Sequence, residues 1–412
     1  MAANAHPPDV VVVGAGLSGL ACAAALRAAG RTPLVLEASD GVGGRLRTDV
    51  VDGYRLDRGF AVLFESYPEV EAQLDLEPLR LRRFEPGADI YLGDGRIVTI
   101  ADPLREPGRL FSTLRSGVWK PGDLPALLRW RAGAHHRLEA TAADMTADRR
   151  LHDVGISRQL RERFLRPLFA GIFLDRELGL SSLLLDQAFA MLARGRTSVP
   201  DAGMGAIADQ LAARVPGAIR LGAHVARVVE GGVVLDSGER IEAREVVVAT
   251  APPEGATLTG APLPRIPRAS TALWFAMEHA PAGARIVLDG TGDGPVTTVA
   301  AMSAVAPGYA PPDSQLVCCS CVGLPHDRDD AGLERSVRAQ LTRWFGGAVA
   351  DWRLLRIDRI RWAQHAQPPG TPAQLPVRVR PGLVVSGDGV ENASIDGALR
   401  AGRRAAEAVL AG

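Results

Sequence analysis

Four consecutive β-branched residues, Val10-Val11-Val12-Val13, run directly into Gly14-Ala15-Gly16-Leu17-Ser18-Gly19. An unbroken β-branched run reads as a strand buried on both faces. Residues 20–29 are good helix formers closed by Gly30, and residues 32–36 form a second strand that ends at Glu37. Strand, Gly-rich turn, helix, strand and acid in that order leave little choice: the chain opens with a βαβ unit of a parallel sheet. Each residue has a task. Gly14 permits the tight turn, Gly16 lets a pyrophosphate approach the backbone, and Gly19 lets the helix pack on the strand. The helix N-terminus at Leu17 and Ser18 offers free N–H groups and the positive end of a dipole to phosphate. Glu37, about twenty residues beyond the turn and followed by Ala38, suits the hydroxyls of a ribose. The context of the fingerprint is complete, and a dinucleotide site is expected.

A second glycine cluster follows at once: Gly41-Val42-Gly43-Gly44-Arg45-Leu46-Arg47-Thr48. Backbone N–H groups at Gly43 and Gly44, with the Arg45 guanidinium, suit a second contact with a pyrophosphate. Near the other end, residues 382–389 read as a strand ending in the turn Gly387-Asp388-Gly389, and residues 394–398 open a helix reaching Leu410. Its apolar stripe is Ala398, Leu399, Ala405, Ala406, Val409 and Leu410.

Residues 10–48 and 382–410 together resemble the FAD-binding ends of the flavin amine oxidase superfamily, which includes amine oxidases, protoporphyrinogen oxidases and carotenoid desaturases. The resemblance implies FAD in a Rossmann-like α/β domain of the glutathione-reductase type, and with no cysteine near Trp362 or Ser394 the flavin is expected to be non-covalent. It implies phosphate contacts at Gly43, Gly44, Arg45 and Arg47, and passage of Gly59, Phe60 and Ala61 along the flavin ring. It further implies that Val225 meets the adenine and that Asp388, after Gly387, binds the ribityl chain or pyrophosphate. The helix N-terminus at Ile395, Asp396 and Ala398 would face the flavin O2 and stabilise negative charge there.

The middle of the chain follows the same layout. From residue 102 to 192 the pattern is mainly helical, with breaks at Pro103, Pro107, Pro121 and Pro125. Residues 90–100 suit a hairpin around Gly93-Asp94-Gly95, and residues 219–234 and 240–249 read as strands. Residues 270–278, 296–303 and 315–322 suggest a second, mixed sheet. The expected FAD domain is therefore discontinuous: residues 1–90, 205–265 and 375–412. Residues 91–204 form a helical insertion and residues 266–374 a mixed-sheet substrate domain.

Basic and acidic residues balance at 47 each, so no basic excess invites nucleic acid. Cys22, Cys318, Cys319 and Cys321 supply neither a disulfide framework nor a paired C-x-x-C zinc site. Adjacent His135 and His136 point different ways on a helix and make a poor metal site; no metal is expected. Residues 1–9 lack a signal peptide's features, and no run of about 18 apolar residues spans a bilayer. A reduced cytoplasm fits best. Basic and apolar residues interleave over residues 105–150, which leaves peripheral membrane contact open beside the plainer reading of an amphipathic helix packed on its own domain.

No second dinucleotide fingerprint exists for a nicotinamide, so the hydride donor is the substrate, and O2 or another acceptor reoxidises the flavin. Amine oxidases of the resembled superfamily usually carry a lysine near flavin N5. Lys120 is the only lysine here, and the strand expected to carry that residue reads Thr271-Ala272-Leu273-Trp274. Asn392-Ala393-Ser394 stands where an aromatic cage is usual. Both departures favour C–C dehydrogenation of a hydrophobic small molecule over amine oxidation. Trp362 and His365, in a segment that resembles one near the flavin ring, are the candidate catalytic residues. Two alternatives remain: an amine oxidase, and a non-catalytic escort protein of the same fold.

Overall fold

The computed structural model describes residues 8–102, 105–139, 143–325 and 329–412; the side chains of residues 110–112 and 135–139, His135 and His136 included, lie outside the description. Among the described residues no group of His, Cys, Asp and Glu is arranged to hold a metal ion.

The opening strand Val10–Val13 is buried throughout and lies inside a six-stranded sheet. In spatial order that sheet runs Ile219–Arg220, Pro33–Leu36, Val10–Val13, Glu245–Val248, Leu383–Val385 and Arg378–Arg380, and all but the last pair are parallel. Val10 and Val12 pack with the helices Leu17–Ala28, Gly205–Ala212 and Ile395–Leu410. Val11 and Val13 point the other way, against Val225, Val233, Leu235 and Ile241. The period-two alternation of a strand thus buries one valine run in two cores. The second core rests on a three-stranded meander, Val225–Val229, Gly232–Leu235 and Arg240–Glu242. The long strand expected over residues 219–234 is therefore broken. Gly222, with a left-handed φ of 65°, separates the parallel-sheet strand from the meander, and Gly231, with φ of 73°, turns the chain between the meander's first two strands.

A seven-stranded mixed sheet forms the other half. Its order is Arg353–His365, Pro267–Met277, Gln315–Val322, Val296–Ala301, Val287–Asp289, Ala88–Tyr91 and Ile97–Ile100. Alternation again sorts side chains: Cys319 and Cys321 face the helix Asp330–Phe345, while Cys318 faces the core shared with the parallel sheet. All four cysteines are buried, and burial pushes the Cys22 and Cys321 thiols up to about 12. They behave as small hydrophobes.

The described residues between 107 and 194 are mainly helical and pack a core of their own with Phe64, Ile90 and Ile100. There Trp130 stacks on Phe189 at 3.8 Å and donates from its indole to Asp186 at 2.5 Å. A small sheet of Leu63–Phe64, Thr197–Pro200 and Leu81–Arg83 ties this region to the opening segment. This mixed α/β architecture matches the expected fold class.

Candidate active site

One cavity of about 1710 Å³ lies between the parallel sheet, the helical region and the mixed sheet. Typical small-ligand pockets run to about 1,000 Å³, so this one has room for a dinucleotide together with a second molecule. Most of the residues expected to hold a dinucleotide stand on its wall.

The Gly-rich turn forms one end. Gly14 takes φ of +102° and donates its N–H to the Leu36 carbonyl at 2.8 Å, closing the turn. A Cβ on Gly19 would stand 2.0 Å from the Gly14 carbonyl oxygen, so only glycine lets the helix sit against the turn. Gly16 differs: a Cβ there would meet nothing within 4 Å, because the residue faces the cavity. Gly16 pairs with Gly43 in an isolated parallel bridge, and the Gly43 N–H donates to the Ala15 carbonyl at 2.9 Å. The two glycine clusters, separate in sequence, therefore form one backbone-lined groove with Leu17, Ser18, Gly44 and Arg45. That groove fits a pyrophosphate, since peptide N–H groups can approach it without side chains in the way.

Glu37 and Ala38 also line the wall. The Glu37 carboxylate accepts from the Ala15 N–H at 2.8 Å and from the Ser39 N–H and hydroxyl at 2.9 and 2.7 Å. These bonds fix the acid at the lip of the groove beside Val225.

Arg45 makes a bidentate ion pair with Asp388, at 2.7 and 2.9 Å, and donates to the Ala363 carbonyl at 2.8 Å. The Asp388 side chain is 4% exposed and that of Arg45 is 39% exposed, so the arginine opens on the cavity and the acid lies behind it. Burial would raise the Asp388 carboxyl; the charge and hydrogen bonds of Arg45 outweigh it and hold the group below its ordinary range. Gly387 stands beside this pair on the wall.

Gly59, Phe60 and Ala61 line the next stretch, and Gly59 takes φ of +90°, with Ile360 where a Cβ would go. The N-terminus of the helix Ile395–Leu410 borders the same cavity. The Ser394 hydroxyl caps it by accepting the Gly397 N–H at 2.9 Å, and Ile395 and Ala398 reach the cavity.

Five of the expected residues lie off the wall. Gly19 supports the turn from behind. Arg47 points away and pairs with Asp40 at 2.5 Å and Asp49 at 3.2 Å. Asp396 is buried, accepts the Glu69 N–H at 2.8 Å and pairs with Arg400 at 2.6 Å. Trp362 and His365 are also off it, while Ile360, Ala363 and Gln364 of the same strand line the cavity. His365 is 2% exposed, and neither its Nδ1 nor the Trp362 indole nitrogen has a partner among the described residues. Burial pushes the His365 imidazole below its ordinary value against the pull of Asp388, so the neutral ring is favoured.

Much of the remaining wall is apolar, with Phe64, Phe169, Phe173 and Phe189 among its side chains, and charged residues stand between them. Ser270, Thr298 and Ser320, from three adjacent strands of the mixed sheet, form a hydroxyl-bearing floor. Residues 271–274 do not reach the cavity: Thr271 bonds the Gly323 carbonyl and Trp274 donates to Asp358. The strand thus presents Ser270 instead, and Lys120 is exposed away from the wall. Gln187 and Asn392 add amides. The floor escaped sequence reasoning, although single hydroxyls within apolar strands were a usable signal.

A family model described as flavin containing amine oxidoreductase matches residues 17–410. Putrescine oxidase of Kocuria rosea is 46% identical over 122 residues, 29% of this chain and 24% of that protein. Phytoene desaturase of Fusarium fujikuroi is 36% identical over 93 residues, 21% of this chain and 16% of that protein. The matched stretches thus span about a quarter or less of these relatives' lengths. A solved putrescine oxidase variant, redesigned in its cofactor binding, superposes with a TM-score of 0.73 at 20% identity, over 98% of this chain and 99% of that one.

Proposed function

The chain belongs to the flavin-containing amine oxidoreductase family, and on that premise we propose that it is an FAD-dependent oxidoreductase acting on a hydrophobic small molecule. The observation that carries this is the continuity of the cavity. One space runs from the glycine groove at Gly16, Gly43 and Gly44 to an apolar chamber floored by Ser270, Thr298 and Ser320.

In this reading residues 1–90, 205–265 and 375–412 build the cofactor half, and residues 91–204 and 266–374 the substrate half. The groove amides and Arg45 hold the pyrophosphate, Glu37 and Ala38 the ribose, and Val225 the adenine end. Gly59, Phe60 and Ala61 run along the ring, and the helix N-terminus at Ile395 and Ala398 favours negative charge on it. Gly387 and Asp388 steady Arg45; Gly19 and Asp396 act from behind, as supports. Bound FAD supplies a hydride acceptor at N5, later reoxidised by O2 or another acceptor. The aromatic wall excludes water from the substrate. No cysteine lines the cavity, which supports non-covalent binding.

The hydride comes from a CH–CH or CH–NH unit. The wall favours the former. It carries no lysine, and its carboxylates Glu85 and Asp102 are paired with arginines rather than open to an ammonium group. Amine oxidation is the second reading, kept by the 46% identity to putrescine oxidase. No described helix is long and apolar enough to cross a membrane. Leu114 and Leu128 are exposed on the helical region and support peripheral contact with a membrane.

The test is a visible spectrum of the purified protein, taken aerobically and then anaerobically with a polyene, a porphyrinogen and an amine. Flavin bands bleached by one of them are the expected result. A colourless protein that FAD cannot reconstitute overturns the reading in favour of a non-catalytic escort.

A further inference from the structure

Seven arginines line the cavity, and their partners divide them. Arg45, Arg58 and Arg83 are paired with Asp388, Asp49 and Glu65. Arg105 and Arg131 donate to the Ala193 carbonyl, at the C-terminal end of the helix Ser182–Arg194, and share Asp102. Arg194 and Arg196 are exposed and have neither a hydrogen bond from the guanidinium nor an ion pair among the described residues. The carboxylates of this rim cannot serve them: Glu65 is taken by Arg83, Glu85 by Arg285, and Asp102 by Arg105 and Arg131.

A second observation points the same way. Trp119 stands on the cavity wall, and its indole N–H is buried without a partner among the described residues. A buried donor left unpaired is costly and calls for an acceptor. Leu127, Leu128 and Leu192 complete an apolar approach. Two unneutralised guanidiniums, an orphaned N–H donor and apolar walls suit an apolar molecule with an anionic end.

We propose that Arg194 and Arg196 recognise a carboxylate on the substrate, so that the substrate class is apolar carboxylic acids. This rests on the oxidoreductase reading above and narrows it. The guanidiniums select the acid over its neutral ester and hold it at one rim of the cavity, leaving the apolar body to fill the chamber.

The test uses the FAD-loaded protein, titrated with dodecanoate, retinoate and pyrenebutyrate and with the methyl ester of each. Binding is read by calorimetry and by the change in the flavin spectrum. At least one acid is expected to bind about ten- to a hundredfold more tightly than its ester, with the preference shrinking as salt rises. In the Arg194→Gln/Arg196→Gln variant the preference is expected to vanish while ester affinity and flavin content stay unchanged. Equal binding of acid and ester, no binding of any acid, or a preference that survives in the variant overturns the proposal. Loss of sedimentation with phosphatidylglycerol vesicles in the variant, with the acid preference intact, reassigns the arginines to a membrane surface. Flavin content separates the two levels: a yellow protein without acid preference sinks only this inference, whereas a protein that takes up no flavin sinks the reading beneath it.

Discussion

Gly16 and Gly19 lie three residues apart and should respond to alanine in opposite ways. At Gly19 a Cβ collides with backbone 2.0 Å away, so Gly19→Ala should unfold the turn and lower the melting temperature of the apoprotein. At Gly16 the backbone is extended, φ −73° and ψ 176°, and the Cβ has open space. Gly16→Ala should keep the apoprotein's melting temperature and lose FAD affinity, as melting curves and flavin titration would check. Asp57 is a residue of another kind. It is buried, and accepts from the Thr48 hydroxyl at 2.5 Å, the Met204 N–H at 3.0 Å and the Tyr309 hydroxyl at 2.7 Å. Burial raises its carboxyl from 3.8 to about 6 despite those bonds. Between about pH 4 and 6 the folded chain therefore holds a proton that the unfolded chain has released. Stability from this group is full below pH 4 and is lost as pH rises to 6, by on the order of 3 kcal/mol. Asp57→Asn should flatten that part of the melting-temperature profile. The glycine turn was legible because its logic is local. The role of Asp57 was not, since its partners are up to 252 residues away.

The helices Leu17–Ala28 and Ile395–Leu410, which pack beside the opening strand, show how tightly this part of the fold is built. Gly402, in the helix Ile395–Leu410, faces the helix Leu17–Ala28 so closely that a Cβ would come within 2.4 Å of the Ser18 carbonyl oxygen and 2.8 Å of the Ala21 Cβ. Gly402→Ala should cost about 1–3 kcal/mol by overpacking, measurable by denaturant unfolding. In the helical region Trp130→Ala should cost about 3–5 kcal/mol, because it removes the stack on Phe189 and leaves Asp186 without its indole donor. Many elements were legible from their own residues: the β-branched run gave the opening strand, and the apolar stripe gave the closing helix. Their order was not. The parallel pairing of Val287–Asp289 with Ala88–Tyr91 joins segments about two hundred residues apart, and no local pattern encodes a partner.

At the scale of the molecule, the candidate site is a junction. Ser18 and Ser386 share a hydrogen bond at 2.6 Å across 368 residues, and Arg45 reaches Asp388 across 343. A cofactor bound there would bridge segments from both ends of the chain at once. Because it binds only the folded chain, FAD at a hundred times its Kd should add about 2.7 kcal/mol of stability and raise the melting temperature by several degrees. Thermal scans with and without added FAD would check this; an unchanged midpoint would contradict the site. Both motif-bearing ends of this junction were legible in the sequence. The chamber between them was not, because its wall is drawn from single residues on many elements.

The parallel sheet also has a history in time. During synthesis Val10–Val13 can pair early with Pro33–Leu36, but its other neighbour, Glu245–Val248, emerges some two hundred residues later, and Leu383–Val385 later still. The helical region and the mixed sheet must therefore take shape while the founding strand still has an open edge. The groove at Arg45 lacks its Asp388 partner until that residue has left the exit tunnel. The open edge of four valines is what a chaperone would have to guard until Glu245–Val248 emerges to pair with it.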